Sequence, residues 1–153
     1  MKIISDLQKN SSSFKEEYVQ DFVDKWDQLI NWDYRSRGEK DFFLEILNAY
    51  GVVDVLDVAT GTGYHSIKLL QGNFNVTSID GSSLMLNRAV KNARSYGLEL
   101  EPICVDWQEL GNVIKKKFDA IICLGSSFPH LFNEKDRLKV LSEFHSALSE
   151  GGF

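Results

Sequence analysis

Cysteine is scarce in this 153-residue chain: Cys104 and Cys123 are the only two. Each lies in an apolar, strand-like run, 102–105 and 118–124. A parallel sheet would put those strands on opposite sides of the first one, too far apart to bridge. The pattern predicts two buried free thiols in a reducing compartment, the cytoplasm, and not a disulfide framework. Long apolar runs are also missing; none approaches the ~20 residues that span a bilayer, so no membrane partner is expected. The stretch from Met1 to Asp6 has no extended apolar segment, so no secretory leader is expected. Basic clusters are absent apart from Lys115-Lys116-Lys117, which reads as a solvated helix end. With a net charge of −5, the chain lacks the basic surface that phosphate contacts need, and no nucleic-acid partner is expected. His65, His130 and His145 have no cysteine or carboxylate neighbours at ligand spacing, so no metal is assigned.

The remaining composition, 43% hydrophobic and 25% charged, is that of one soluble domain with a real core. Residues 1–15, polar and ending near Asn10-Ser11-Ser12-Ser13, read as a flexible arm. Residues 16–51 read as two helices. The first carries Tyr18, Phe22, Trp26, Leu29 and Ile30 at three- and four-residue spacing. A polar connection, 31–38, holds Arg35 and Arg37. The second helix presents Phe42, Phe43, Ile46, Leu47 and Tyr50, with Gly51 as its C-terminal cap.

From residue 52 to 153 strands alternate with helices. The segment 52–59 is β-branched and apolar, as a strand covered on both faces should be. A helix over 63–71, a strand over 74–79 and a helix capped by Ser82 and closed by Gly97 follow. A third strand, 98–105, contains Pro102, which suits an edge. A short helix or turn covers 107–114, and a fourth strand 118–124. Asn133 caps a last helix expected to turn Leu138, Leu141, Phe144, Ala147 and Leu148 inward. Such alternation predicts an α/β fold, Rossmann-like, with a parallel sheet and an N-terminal helical extension.

The first strand runs into Asp57-Val58-Ala59-Thr60-Gly61-Thr62-Gly63. Gly61 and Gly63 lack a Cβ, so the backbone there can turn sharply and approach a ligand. Asp80 closes the second strand, where a carboxylate accepts hydrogen bonds from ribose hydroxyls. The plainer alternative is that Asp80 only caps the next helix. Strand, glycine loop, helix and acidic residue together point to a nucleoside cofactor. A dinucleotide pattern would want Gly or Ala where this chain has Ser66, and an apolar residue at Asp57.

The loop from Asp57 to Gly63 resembles the first motif of the class I S-adenosylmethionine-dependent methyltransferases. The stretch from Phe118 to Gly125, with Ser127-Phe128 and His130-Leu131, is similar to the glycine and glycine/sarcosine N-methyltransferase group. So are Asp106-Trp107 and the leader from Phe22 to Asp27. The resemblance covers the chain from about Tyr18 onward. It implies S-adenosyl-L-methionine as cofactor, with Asp57 orienting the loop, Ala59, Gly61 and Gly63 under the methionine half, Asp80 on the ribose and Asp106 and Trp107 around the adenine. It further implies backbone contact from Leu124, and Tyr18, Trp26 and Arg37 folding over the site, Arg37 at the methionine carboxylate with Arg35 as the alternative. A small amine, glycine or sarcosine, is the implied acceptor. Ser126 stands where relatives have an asparagine donor, and His130 is a further substrate-side candidate. No general base is expected. Tyr18, Phe22 and Trp26 also fit a purely structural aromatic stripe, and Trp107 a packed core aromatic.

The family's sheet order, 3-2-1-4-5-7-6, leaves three strands, the carboxylate-anchoring arginine and the substrate lid beyond Phe153. The expectation is therefore a portion of such an enzyme, truncated after the fourth strand and its helix. That strand would be an open edge able to mediate self-association.

Overall fold

The computed structural model describes residues 19–153. Tyr18 and the arm lie outside the described residues. Three helices lead: α1 (Gln20–Ile30), α2 (Trp32–Glu39) and α3 (Phe42–Ala49). The α/β part follows as β1 (Asp54–Asp57), α4 (Tyr64–Gln71), β2 (Asn75–Asp80), α5 (Ser83–Ser95) and β3 (Ile103–Cys104). A 3₁₀ turn (Trp107–Glu109), α6 (Leu110–Val113), β4 (Ala120–Ile122), a second 3₁₀ turn (Phe128–His130) and α7 (Glu134–Ala147) complete it.

The four strands are parallel and lie in the order β3-β2-β1-β4. From β1 the chain steps outward twice, to β2 and β3, then returns across β1 to place β4 on its other side. That reversal opens a crevice at the carboxyl ends of β1 and β4, the place where open α/β sheets bind ligands.

The middle of β1, Val55 and Leu56, is apolar on both faces because both are covered. Leu56, Val58, Ile79, Leu110, Phe118, Val140, Phe144 and Ala147 form the core on one face. Val55, Leu47, Val52, Leu69, Phe74 and Ala120 form it on the other. Adjacent residues Val55 and Leu56 point to opposite faces, as the pleat requires.

Helix ends follow their caps. The Ser82 hydroxyl accepts from the Met85 N–H, and the Asn133 side chain from the Asp136 N–H at 2.8 Å. The leading region differs from expectation, because the supposed polar connection is helical. Asn31 takes the left-handed conformation (φ 43°), which ends α1, and its side chain accepts from the Tyr34 N–H at 3.0 Å to start α2. The i,i+4 pair Arg35–Glu39, 2.6 Å apart, then ties α2 along its length.

Three other expectations need correction. In α7 the inward stripe is Val140, Phe144 and Ala147. Leu138 and Leu141 are 61% and 49% exposed, because that stripe, spaced i, i+4, i+7, sets the helix phase. Cys104 is exposed and Cys123 half-buried, since β3 is a two-residue edge strand and lends Cys104 little cover. The outer side of β4 is not wholly open. The Phe153 N–H donates to the Asp119 carbonyl (3.0 Å), the Phe153 carbonyl accepts from the Ile121 N–H (2.8 Å), and the Phe153 ring packs on Tyr50.

Candidate functional site

The glycine loop leaves β1 through Thr60, whose N–H donates to the Ile79 carbonyl of β2 at 3.1 Å. A turn closed by the Gly63 N–H on the Thr60 carbonyl (2.9 Å) hands the chain to α4. Gly61 and Gly63 both have positive φ, +53° and +98°, where a side chain would be strained. Their surroundings differ. A Cβ on Gly63 would sit 3.0 Å from the Ala89 Cβ and 3.2 Å from its Cα, so this glycine lets the loop dock on α5. A Cβ on Gly61 would meet nothing within 4 Å. Of the two, only Gly61 therefore faces open space.

Two carboxylates hold the loop. Asp57 is 1% exposed. It accepts from the Ala59 N–H at 3.2 Å and from the Ser66 hydroxyl at 2.7 Å, and Ser66 in turn lies 2.7 Å from the Ser78 hydroxyl. Burial pushes the Asp57 carboxyl up to about 6, against the pull of its Ser66 and Ala59 hydrogen bonds. Ser66 thus replaces the small residue of a dinucleotide loop with a buried hydroxyl that the aspartate needs. Asp80 accepts from the Gly61 N–H through one oxygen and from the Ser82 N–H through the other, both at 2.9 Å. Burial raises the Asp80 carboxyl above the usual range, opposed by its backbone N–H donors. Asp80 thus anchors the loop through one oxygen and holds Ser82, the N-cap of α5, through the other.

Asp106 and Trp107 follow β3. The Asp106 carboxylate accepts from the Gln108 N–H at 2.9 Å. The Trp107 indole N–H donates to the Val58 carbonyl at the end of β1. Its ring lies parallel to Phe128 and edge-on to Phe144, with centroids 6.5 Å and 5.6 Å away. Trp107 is therefore a packed aromatic that braces the β1 terminus, which leaves its ring surface, and not its N–H, for any further contact.

Leu124 follows β4 and, with Ile122, Leu47 and His65, lines a small cavity of about 20 Å³ beneath α3 and α4. Ser126 is exposed, and half-buried His130 ends the second 3₁₀ turn. In the leading helices Trp26 is half-buried against Phe22 (5.0 Å). Exposed Arg37 donates from Nε to the Asp33 carbonyl of its own helix at 3.3 Å. Arg35 instead pairs with Glu39 and lies 5.1 Å above the Tyr64 ring, next to the glycine loop. Glu39 also meets His65 Nε2 at 3.0 Å. Burial and the Arg35 charge hold His65 below its ordinary value, so it is a neutral partner near pH 7.

Ala59, Gly61, Asp80, Asp106 and Leu124 thus gather at the carboxyl ends of the four strands. The methyltransferase-domain family model matches residues 55–152, the whole of this sheet unit. The chain belongs to the methyltransferase family. It is 52% identical over 144 residues to glycine/sarcosine N-methyltransferase of Halorhodospira halochloris, a match covering 94% of this chain and 54% of the relative. It is 39% identical over 117 residues to human glycine N-methyltransferase, covering 68% of this chain and 39% of that protein. A crystal structure of an S-adenosylmethionine-dependent methyltransferase from Clostridium acetobutylicum superposes with a TM-score of 0.72 at 32% identity, covering 86% of this chain and 54% of the other. The chain spans about half the length of the curated relatives it matches.

Sequence reasoning missed Asp27, Arg88 and Asn92. Asp27 Oδ2 accepts from Arg88 Nε and from Asn92 Nδ2, both at 2.9 Å. Arg88 and Asn92 stand one turn apart on α5, but nothing in the sequence pairs them with a residue more than sixty positions earlier.

Proposed function

We infer that the chain binds S-adenosylmethionine at the carboxyl ends of its strands and serves the N-methylation of a small amine, glycine or sarcosine. The observation that carries this is Gly61, which faces open space while its N–H is fixed by the Asp80 carboxylate. A nucleoside suits that place: a carboxylate at the end of β2 can accept from ribose hydroxyls, and the missing Cβ of Gly61 leaves space for the chain attached to the ribose. Ala59 and Gly61 would lie along the methionine part, with Leu124 contributing backbone and Arg37 or Arg35 its guanidinium to the carboxylate. Asp106 would meet the adenine edge and Trp107 its surface. Trp26 and Tyr18 complete the set from the N-terminal side. Ser126 and His130 belong to the acceptor side.

When bound, the cofactor supplies a methyl group already activated by a sulfonium centre. The protein's own residues then have to align an amine nitrogen with it and keep water out, which is a positioning task. The glycine/sarcosine acceptor rests on the names of the relatives and on the shared stretch from Phe118 to Leu131. Two free thiols suit a reducing compartment, the cytoplasm. A second reading, a cofactor-binding portion without turnover, is favoured by the chain's spanning about half the length of its relatives.

Calorimetric titration with S-adenosylhomocysteine, with NAD as control, tests the cofactor. Micromolar binding of the former alone is expected, and binding of NAD alone would overturn the assignment. Glycine turnover then separates the two readings: formation of sarcosine supports the first, and cofactor binding without product supports the second.

A further inference from the structure

The glycine loop and the N-terminal helix α1 rest on the same face of α5. Ala89 receives Gly63 with no room for a Cβ. One helical turn on, Asn92 donates from Nδ2 to the Thr62 carbonyl of the loop at 2.9 Å and to Asp27 Oδ2 of α1 at 2.9 Å. Arg88, one turn before Asn92, donates from Nε to the same Asp27 Oδ2 at 2.9 Å. A single amide group therefore touches both the loop and the helix. The contacts are sheltered, with the Asp27 side chain 19% exposed and Thr62 2% exposed. Among the described residues, Asp27 Oδ1 and the Thr62 hydroxyl are enclosed without a hydrogen-bond partner. Polar atoms enclosed in this way make the junction sensitive to small shifts, because hydrogen bonds there are worth more than in water.

We propose that Asn92 is a positioning residue that couples the N-terminal helix to the glycine loop, so that cofactor binding at the loop seats the helix over the site. The inference rests on the cofactor assignment above. Asp27 is its counterpart on α1, and Arg88 fixes the Asp27 carboxylate so that its oxygen faces the Asn92 amide. An apolar contact would hold α1 in place whatever the loop did. Fully buried Val23 is such a contact; the Asn92 amide adds a polar one that α1 and the loop share.

The test uses the chain with Asn92→Ala, Asp27→Asn, the pair together, and Asn87→Ala on the exposed side of α5 as control. Amide exchange is followed over 20–30 and 60–63 with and without S-adenosylhomocysteine, beside calorimetric affinity. In the unaltered chain the ligand should protect both segments. In Asn92→Ala it should protect 60–63 but no longer 20–30, with affinity reduced on the order of tenfold. Asp27→Asn keeps the side chain's size and should shift both readouts in the same direction. The pair should lose less than the sum of the single losses, since both act through one junction. Equal ligand-induced protection of 20–30 in the unaltered chain and in Asn92→Ala overturns the coupling, as does strict additivity. If S-adenosylhomocysteine protects neither segment of the unaltered chain, the cofactor assignment fails. A ligand that protects only 60–63 in that chain overturns the coupling alone.

Discussion

The sheet unit and the leading helices are held by different physics. Around the sheet Leu56, Val58, Ile79, Leu110 and Phe118 are completely enclosed, and the glycine loop is anchored by buried Asp57 and half-buried Asp80. In the leading helices only Val23 of α1 and Leu47 of α3 are buried, and none in α2. Beside the packing of Leu44, Leu47 and Trp32, attachment there runs through polar contacts: Asp27 with Arg88 and Asn92, Glu39 with His65, and Lys68 with the Lys40 carbonyl. Apolar burial is non-directional and forms with the fold, whereas polar contacts exchange readily with water. The sheet unit is thus held mainly by burial that forms with the fold, and the leading helices lean more on contacts that can be remade.

Phe118→Ala should break that contrast most severely. It removes a ring with no exposure from the main core, at a cost of about 3–5 kcal/mol. Chemical denaturation should show sheet and helices lost in one transition. Val23→Ala sharpens the comparison from the other side. It removes two buried carbons worth about 0.8 kcal/mol each, and exchange should accelerate in 20–30 while the sheet keeps its protection.

Asp57 comes between these. Its carboxyl is raised in the folded state from 3.8 to about 6. Its contribution to stability is therefore present below about 4 and lost as pH rises through about 6, because the folded chain binds the extra proton. Asp57→Asn keeps acceptor and donor for Ala59 and Ser66 without the charge. The unaltered chain should lose stability relative to this variant between pH 4 and 7, by on the order of 2–3 kcal/mol. Parallel denaturation curves over that range would refute it.

The two glycines give a paired test of similar or smaller size. Gly63→Ala meets both a positive φ and Ala89, so a loss of about 1–3 kcal/mol is expected. Gly61→Ala meets only the φ penalty, about 1 kcal/mol, and should instead weaken S-adenosylhomocysteine binding. If Gly63→Ala lowers affinity and leaves the melting temperature alone, the division of roles between the glycines is wrong.

Much of the sheet unit was legible in the sequence. Apolar β-branched runs gave β1 and β2, and Ser82, Asn133, Gly51 and Gly97 marked helix ends because caps and left-handed turns need those residues locally. The leading region was less legible. Its segment 32–39 has little apolar periodicity, and its helical state depends on Asn31 turning left-handed and on the Arg35–Glu39–His65 contacts. The phase of α7 was misread because Leu138 and Leu141 are as hydrophobic as Val140, and only packing distinguishes them. In the candidate site, Gly61 and Asp80 were readable as a motif. The different job of Gly63 and the junction at Asn92 were not, since both depend on which face of α5 the loop meets.

Cys104 offers a practical consequence. It sits in register with Asp80 across the β2–β3 pair and is exposed. Cys123, the other thiol, is half-buried, and desolvation helped by the nearby Asp57 charge pushes it up to about 11. At neutral pH a thiol-directed fluorophore should therefore attach once per chain, at Cys104. The protein already carries, on the edge strand β3 beside Asp80, a single attachment point for an optical reporter.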